Sequence, residues 1–130
     1  MTRGKVLSMR VIRRFQKRRK KRNKRSDLEK KIEGWMKEDK INFKREYAIG
    51  ICHADFFIRP RTLIEVNGCY WHGCSRCFPH PTHEQKARIL KDARRYKYFR
   101  KRGYKLLVIR GCDVNEDPET VRSRIRDLKR

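Results

Sequence analysis

No stretch of the chain is apolar for long enough to cross a bilayer, and its first residues lack a signal-peptide core. A soluble, intracellular protein with no membrane partner is therefore expected. No internal repeat is present either, and 130 residues leave room for one small domain with a tail. Acid is missing altogether from residues 1–25, where thirteen Lys or Arg stand. That segment reads as a flexible basic arm. Residues 26–130, with 25 basic and 15 acidic side chains, keep enough apolar residues for a core. The whole chain carries a formal +23, which points to a polyanionic partner. Taken alone, the arm would equally suit a localisation signal, an RNA-binding tail or a membrane-surface segment.

Five cysteines in a reducing compartment are better explained as metal ligands than as disulfides. Cys69, Cys74 and Cys77 follow a C-x4-C-x2-C spacing, and Cys112 can complete a set of four. Four thiolates suit a closed tetrahedral zinc site, structural because no position is left for water. A zinc deaminase would need a Glu beside its metal ligands, and Trp71-His72-Gly73-Cys74 offers none. Cys52, on an apolar stretch, is the spare thiol and is expected to be a small buried core residue.

Ser26-Asp27-Leu28-Glu29 has the form of a capping box, and Leu28, Ile32, Trp35 and Met36 then share one helical face. Strands are expected over Ile41–Ala48, Cys52–Ile58 and Thr62–Asn67, with Arg59-Pro60-Arg61 turning between the last two. A loop rich in Cys, Gly and Pro follows to Thr82 and needs something other than a core to hold it. A helix is expected from His83 to Arg102, with Ile89, Ala93 and Tyr96 inward and Gly103 as its stop. Lys105–Ile109 is apolar on both faces, as in a central covered strand, and Asp117-Pro118 opens a last helix. The pattern makes an α/β fold with a mixed sheet flanked by helices.

Asp55 interrupts an apolar strand, where an unpaired carboxylate is costly. On the next strand Glu65 and Asn67 share one face, while Ile64 and Val66 take the other. Carboxylates on adjacent strands can hold magnesium; the plainer alternative is that Asp55 and Glu65 pair with some of the many arginines.

Asp55, the Gly68-Cys69-Tyr70-Trp71-His72 block, Asp92 and the Val108-Ile109-Arg110-Gly111-Cys112 stretch together resemble the very-short-patch repair (Vsr) DNA mismatch endonucleases. These are zinc-containing relatives of the PD-(D/E)xK, or restriction-endonuclease-like, nucleases. The resemblance covers about residues 26–112. It implies that Asp55 is a metal-binding aspartate, that His72 is a catalytic histidine and that Asp92 orients a histidine. It also implies that Glu29 supports the site from the first helix. The plainer alternatives are a capping role for Glu29 and a surface pairing of Asp92 with Arg88 or Arg95.

Tyr70 and Trp71 match an aromatic wedge pushed between bases, although Trp71 would also fit as packing over the zinc loop. Three positions depart from the family: Asn67 stands for a His, Glu65 for an apolar residue, and Cys74 for a zinc histidine. Glu65-Val66-Asn67 is closer to the general nuclease pattern, with Asn in the Lys position.

The resulting expectation is a Mg²⁺-dependent DNA endonuclease at residues 26–130 that nicks duplex DNA, with T:G mismatches as one candidate target. Asp55, Glu65 and the Val66 carbonyl would hold Mg²⁺, with His72, Glu29, Asn67 and Asp92 completing the catalytic set. Zn²⁺ would be structural, on Cys69, Cys74, Cys77 and Cys112. Tyr70, Trp71 and the arm residues Arg13, Arg14, Lys17, Arg18 and Arg19 would contact double-stranded DNA. A monomer is expected, from a bacterial cytoplasm or encoded by a phage or virus. The rivals are a homing-type or phage nuclease cutting fully paired DNA, and a non-catalytic zinc-containing module that binds nucleic acid through charge.

Overall fold

The computed structural model describes residues 26–129, so the arm with Arg13, Arg14, Lys17, Arg18 and Arg19 lies outside the described residues. Helix α1 (Asp27–Glu38) begins where Ser26 Oγ accepts the Glu29 N–H at 3.1 Å. It buries Ile32 and Met36, one helical turn apart. Strands β1 (Lys44–Ile49), β2 (Cys52–Ile58) and β3 (Thr62–Asn67) follow as an antiparallel meander. Helix α2 (His83–Lys101) then crosses over to β4 (Lys105–Arg110), which pairs parallel with β3. The chain closes with α3 (Gly111–Glu116) and α4 (Pro118–Asp127).

The sheet order is β1-β2-β3-β4, a mixed sheet between two helical layers. On one face Phe56, Ile58, Ile64, Val66 and Ile109 pack with Ile32 and Met36 of α1, Val114 of α3, and Val121 and Ile125 of α4. On the other, Phe57 and Leu63 pack with Phe99, Tyr96 and Tyr98 of α2. Every residue of β3 is buried, because both layers cover it.

Four expectations need correction. β4 is an edge strand rather than a central one. It is apolar on both sides because Leu106 faces the α2 cluster while Leu107 and Ile109 face the α1/α4 cluster, and that requires two helical layers, not two neighbouring strands. The first strand starts at Lys44, although Ile41 still plugs the core. Cys52 is only partly buried, at the margin of the α2-side cluster. Last, α2 does not turn Ile89 and Ala93 inward; both are exposed, and its buried residues are Gln85, Asp92 and Phe99. A polar inner face on a helix over a sheet needs polar partners, and those partners lie at the ends of β2 and β3.

Candidate active site and metal centre

The β2–β3 ladder runs from Ile58↔Thr62 to Phe56↔Ile64. One step beyond it, Asp55 Oδ2 accepts the Val66 N–H at 2.8 Å, so the side chain caps the ladder where the strands leave their regular pairing. Glu65 and Asn67 both point to the α2 side, as period-2 alternation requires. Glu65 Oε1 accepts from Arg95 Nη2 at 2.6 Å, and the same nitrogen donates to the His53 carbonyl at 2.7 Å. One α2 guanidinium thus clamps β2 and neutralises the β3 acid, which makes burial of Glu65 tolerable. Asn67 Nδ2 donates to the Tyr96 phenol oxygen at 2.7 Å.

One turn before Tyr96, the Asp92 carboxylate takes His72 Nδ1 at 2.7 Å on one oxygen and Arg88 Nε at 3.2 Å on the other. Burial alone would raise this carboxyl, but the His72 hydrogen bond and the charges of His72, Arg88 and Arg95 outweigh it and hold it below the usual carboxylate range. An ionised carboxylate only accepts, so His72 Nδ1 carries the proton and the neutral ring offers a lone pair at Nε2. Asp92 therefore has both the expected partners, the histidine and a helix arginine.

His72 sits on a loop folded by its own backbone, with His72 N–H to Gly68 O at 3.1 Å and Cys74 N–H to Cys69 O at 2.9 Å. Gly73 adopts φ +59°, and a Cβ there would meet Ile89 Cδ1 at 2.8 Å, so only glycine lets the loop lie against α2. Gln85 completes the attachment. It shares a capping box with Thr82 and donates from Nε2 to the Tyr70 carbonyl at 2.8 Å. Above this base Trp71 is 74 % exposed and Tyr70 53 %, so Trp71 does not pack over the loop as core. The two rings meet edge to face at 5.3 Å.

The Sγ atoms of Cys69, Cys74, Cys77 and Cys112 all lie within 4.8 Å of one another, with Cys74 and Cys112 at 3.9 Å. A tetrahedron with metal–sulfur bonds of about 2.3 Å has edges of about 3.8 Å, so the four cysteines can hold a metal such as zinc. Cys69 and Cys112 stand two residues beyond the register pair Asn67↔Arg110, where the parallel strands end side by side. The Cys112 N–H donates to Cys69 Sγ at 3.2 Å. Burial pushes the Cys69 and Cys112 thiols up. It also opposes ionisation of Cys74, but the backbone N–H groups of Cys77 and Arg76 and the neighbouring thiols bring that group down to about 7. Four thiols this close ionise together only around a cation.

Among the described residues this is the one group of three or more potential metal ligands. Asp55 and Glu65 offer a different, hard-oxygen donor set on adjacent strands. Such a pair suits magnesium, which is held by one or two carboxylates and completed by substrate phosphate and water.

Glu29 is partly buried in the first turn of α1, with its N–H used by the Ser26 cap. The residues that sequence reasoning missed are Gln85, Arg95 and Tyr96. With Asp92 they recur at helical spacing along one side of α2, a stripe visible in the sequence but indistinguishable there from a solvated face.

Among the described residues, no helix is long and apolar enough to cross a membrane. No protein-family model matches the chain, and no curated protein does. Among solved structures it is similar to the homing endonuclease I-Bth0305I catalytic domain, at 23 % identity and a TM-score of 0.61. The match covers 80 % of this chain and 94 % of that one, and it shows a shared fold.

Proposed function

We propose that the chain is a divalent-metal-dependent endonuclease that hydrolyses phosphodiesters of double-stranded DNA. The observation that carries this reading is the 2.7 Å His72–Asp92 pair, set on the same side of the sheet as Asp55 and Glu65. A structural fold has no use for a histidine tautomer fixed by a buried carboxylate beside two further acids. A binding module based on charge leaves all four residues unexplained. The solved neighbour, described as a homing endonuclease catalytic domain, supports the same conclusion.

In the proposed reaction His72 Nε2 takes a proton from water as the water oxygen bonds to phosphorus. The P–O ester bond breaks, and the leaving oxygen takes its proton from solvent. Asp92 holds the imidazole and stabilises the imidazolium that forms. Asp55, Glu65 and the Val66 carbonyl are the proposed magnesium ligands, and the ion would offset charge gathering on the phosphate. Glu29 is assigned a supporting role from α1. Zinc on the four cysteines would fix the loop that presents His72, Tyr70 and Trp71. The exposed ring pair is suited to insertion between bases, and the arm to phosphate contacts without sequence information.

Asp55→Asn is expected to abolish Mg²⁺-dependent nicking of plasmid DNA while circular dichroism and DNA affinity stay near wild type. His72→Ala should slow nicking by about 10²–10⁴-fold. Nicking by Asp55→Asn at the wild-type rate would leave the non-catalytic zinc module as the better account.

Two observations favour cleavage of fully paired DNA over T:G mismatches. Glu65 and Asn67 depart from the Vsr pattern, and the solved neighbour is described as a homing endonuclease. Matched and T:G-mismatched duplexes assayed side by side decide between these targets.

A further inference from the structure

Asn67 stands where the general nuclease pattern places a charged lysine, and an amide neither takes up nor releases a proton at neutral pH. Its surroundings suggest what it does instead. The side chain is 92 % buried, its Nδ2 is spent on Tyr96 at 2.7 Å, and among the described residues no protein group donates to its Oδ1. A buried acceptor left without a donor costs about 1–3 kcal/mol, so folds seldom retain one without a use. This one lies on the same β3 face as Glu65, one residue past the Val66 N–H that Asp55 caps. A species arriving between those carboxylates with hydrogens to donate would meet it. Water is that species, and a phosphate oxygen is not.

We infer that Tyr96 is a positioning residue, which locks the Asn67 amide so that Oδ1 orients the attacking water. The phenol accepts from Nδ2 and thereby fixes which head of the amide faces Tyr96 and which faces the carboxylates. Tyr96 follows Asp92 by one helical turn, so a single face of α2 holds both His72, through Asp92, and the amide, through Tyr96. The base and the acceptor that aims the water are thus carried by one rigid element rather than by separate loops. The inference rests on the endonuclease reading and adds to it the residue that sets the water's geometry.

Tyr96→Phe removes only the phenol oxygen and keeps the ring in the α2 cluster. Under single turnover with Mg²⁺ its maximal nicking rate should fall about 10- to 100-fold, because misorientation of a nucleophile acts on the chemical step. The DNA concentration for half-maximal rate should not move. Asn67→Ala should lose at least as much, and the double variant no more than Asn67→Ala, because Tyr96 acts through Asn67. Tyr98→Phe, the same deletion two positions along, serves as the control and should be neutral.

Wild-type nicking by Tyr96→Phe, additive losses in the double variant, or an effect confined to half-saturation would each overturn the inference while leaving the endonuclease reading intact. A wild-type protein that nicks no duplex would overturn both. Circular dichroism and zinc content of Tyr96→Phe and Asn67→Ala identify any loss due to misfolding, and a rate loss that tracks them also overturns the inference.

Discussion

Asp92 is buried against three cationic or cation-capable side chains, and its carboxyl is held below the ordinary aspartate value of 3.8. A depressed folded value means that the unfolded chain binds the proton more readily. The contribution to stability is therefore full above about pH 3.8 and is lost as the pH falls through the lower folded value. Asp92→Asn should flatten that acid limb of the stability curve, measured as urea midpoint against pH. It should also cut nicking by about 10²–10⁴-fold, because an amide donating to His72 Nδ1 forces the proton onto Nε2, where the lone pair is needed. An unchanged acid limb would mean that Asp92 is as readily protonated in the folded chain as in the unfolded one. Tyr96 belongs to the same scale, since one phenol oxygen decides which head of the Asn67 amide meets the carboxylates.

The loop from Gly68 to Thr82 has almost no apolar core of its own and is held by backbone bonds, Gln85 and the cysteine cluster. Purified protein should contain about one zinc per chain, and Cys74→Ser should lose it and lower the melting temperature of the whole domain, because metal-binding energy is folding energy here. Fully folded, metal-free protein, by elemental analysis and circular dichroism, would remove zinc from the account. This element was legible from cysteine spacing alone, and so was the face of β3 shared by Glu65 and Asn67, since a period of two leaves no choice. Other elements were not. The apolar run Lys105–Ile109 has the same pattern at a covered edge as at a centre, so strand order could not be read from it. Polar residues at 85, 88, 92 and 95 look like a wet surface until Glu65, Asn67, Tyr70 and His72 are known to face them. Ile89 was expected inside because apolar residues usually mark the buried stripe, but it packs on Gly73 at the rim and remains exposed. Tyr96 was expected inside for its ring, while its hydroxyl, which bonds the site, left no trace in periodicity.

At the scale of the molecule, removing residues 1–25 lowers the formal charge from +23 to +10. Each phosphate neutralised steepens the dependence of binding on salt by about 0.9 in logarithmic slope, so the truncated protein should bind all duplexes more weakly and with a flatter slope. Fluorescence anisotropy at several salt concentrations measures this, and an unchanged slope would give the arm some other purpose. The domain itself should stay folded, because the core described above draws on residues 26–129 alone. Its most consequential join is the one between Cys69 and Cys112, 43 positions apart in sequence and adjacent in space. A metal there closes the entire β3–α2–β4 crossover into a ring, and a ring of that length removes several kcal/mol of chain entropy from the unfolded state in the loop-closure account. The same ring contains Asp92, Arg95 and Tyr96 and begins beside Asn67. Supply of the metal therefore sets how long the site survives heat or denaturant, and a chelator should shorten that lifetime even though the metal takes no part in the reaction.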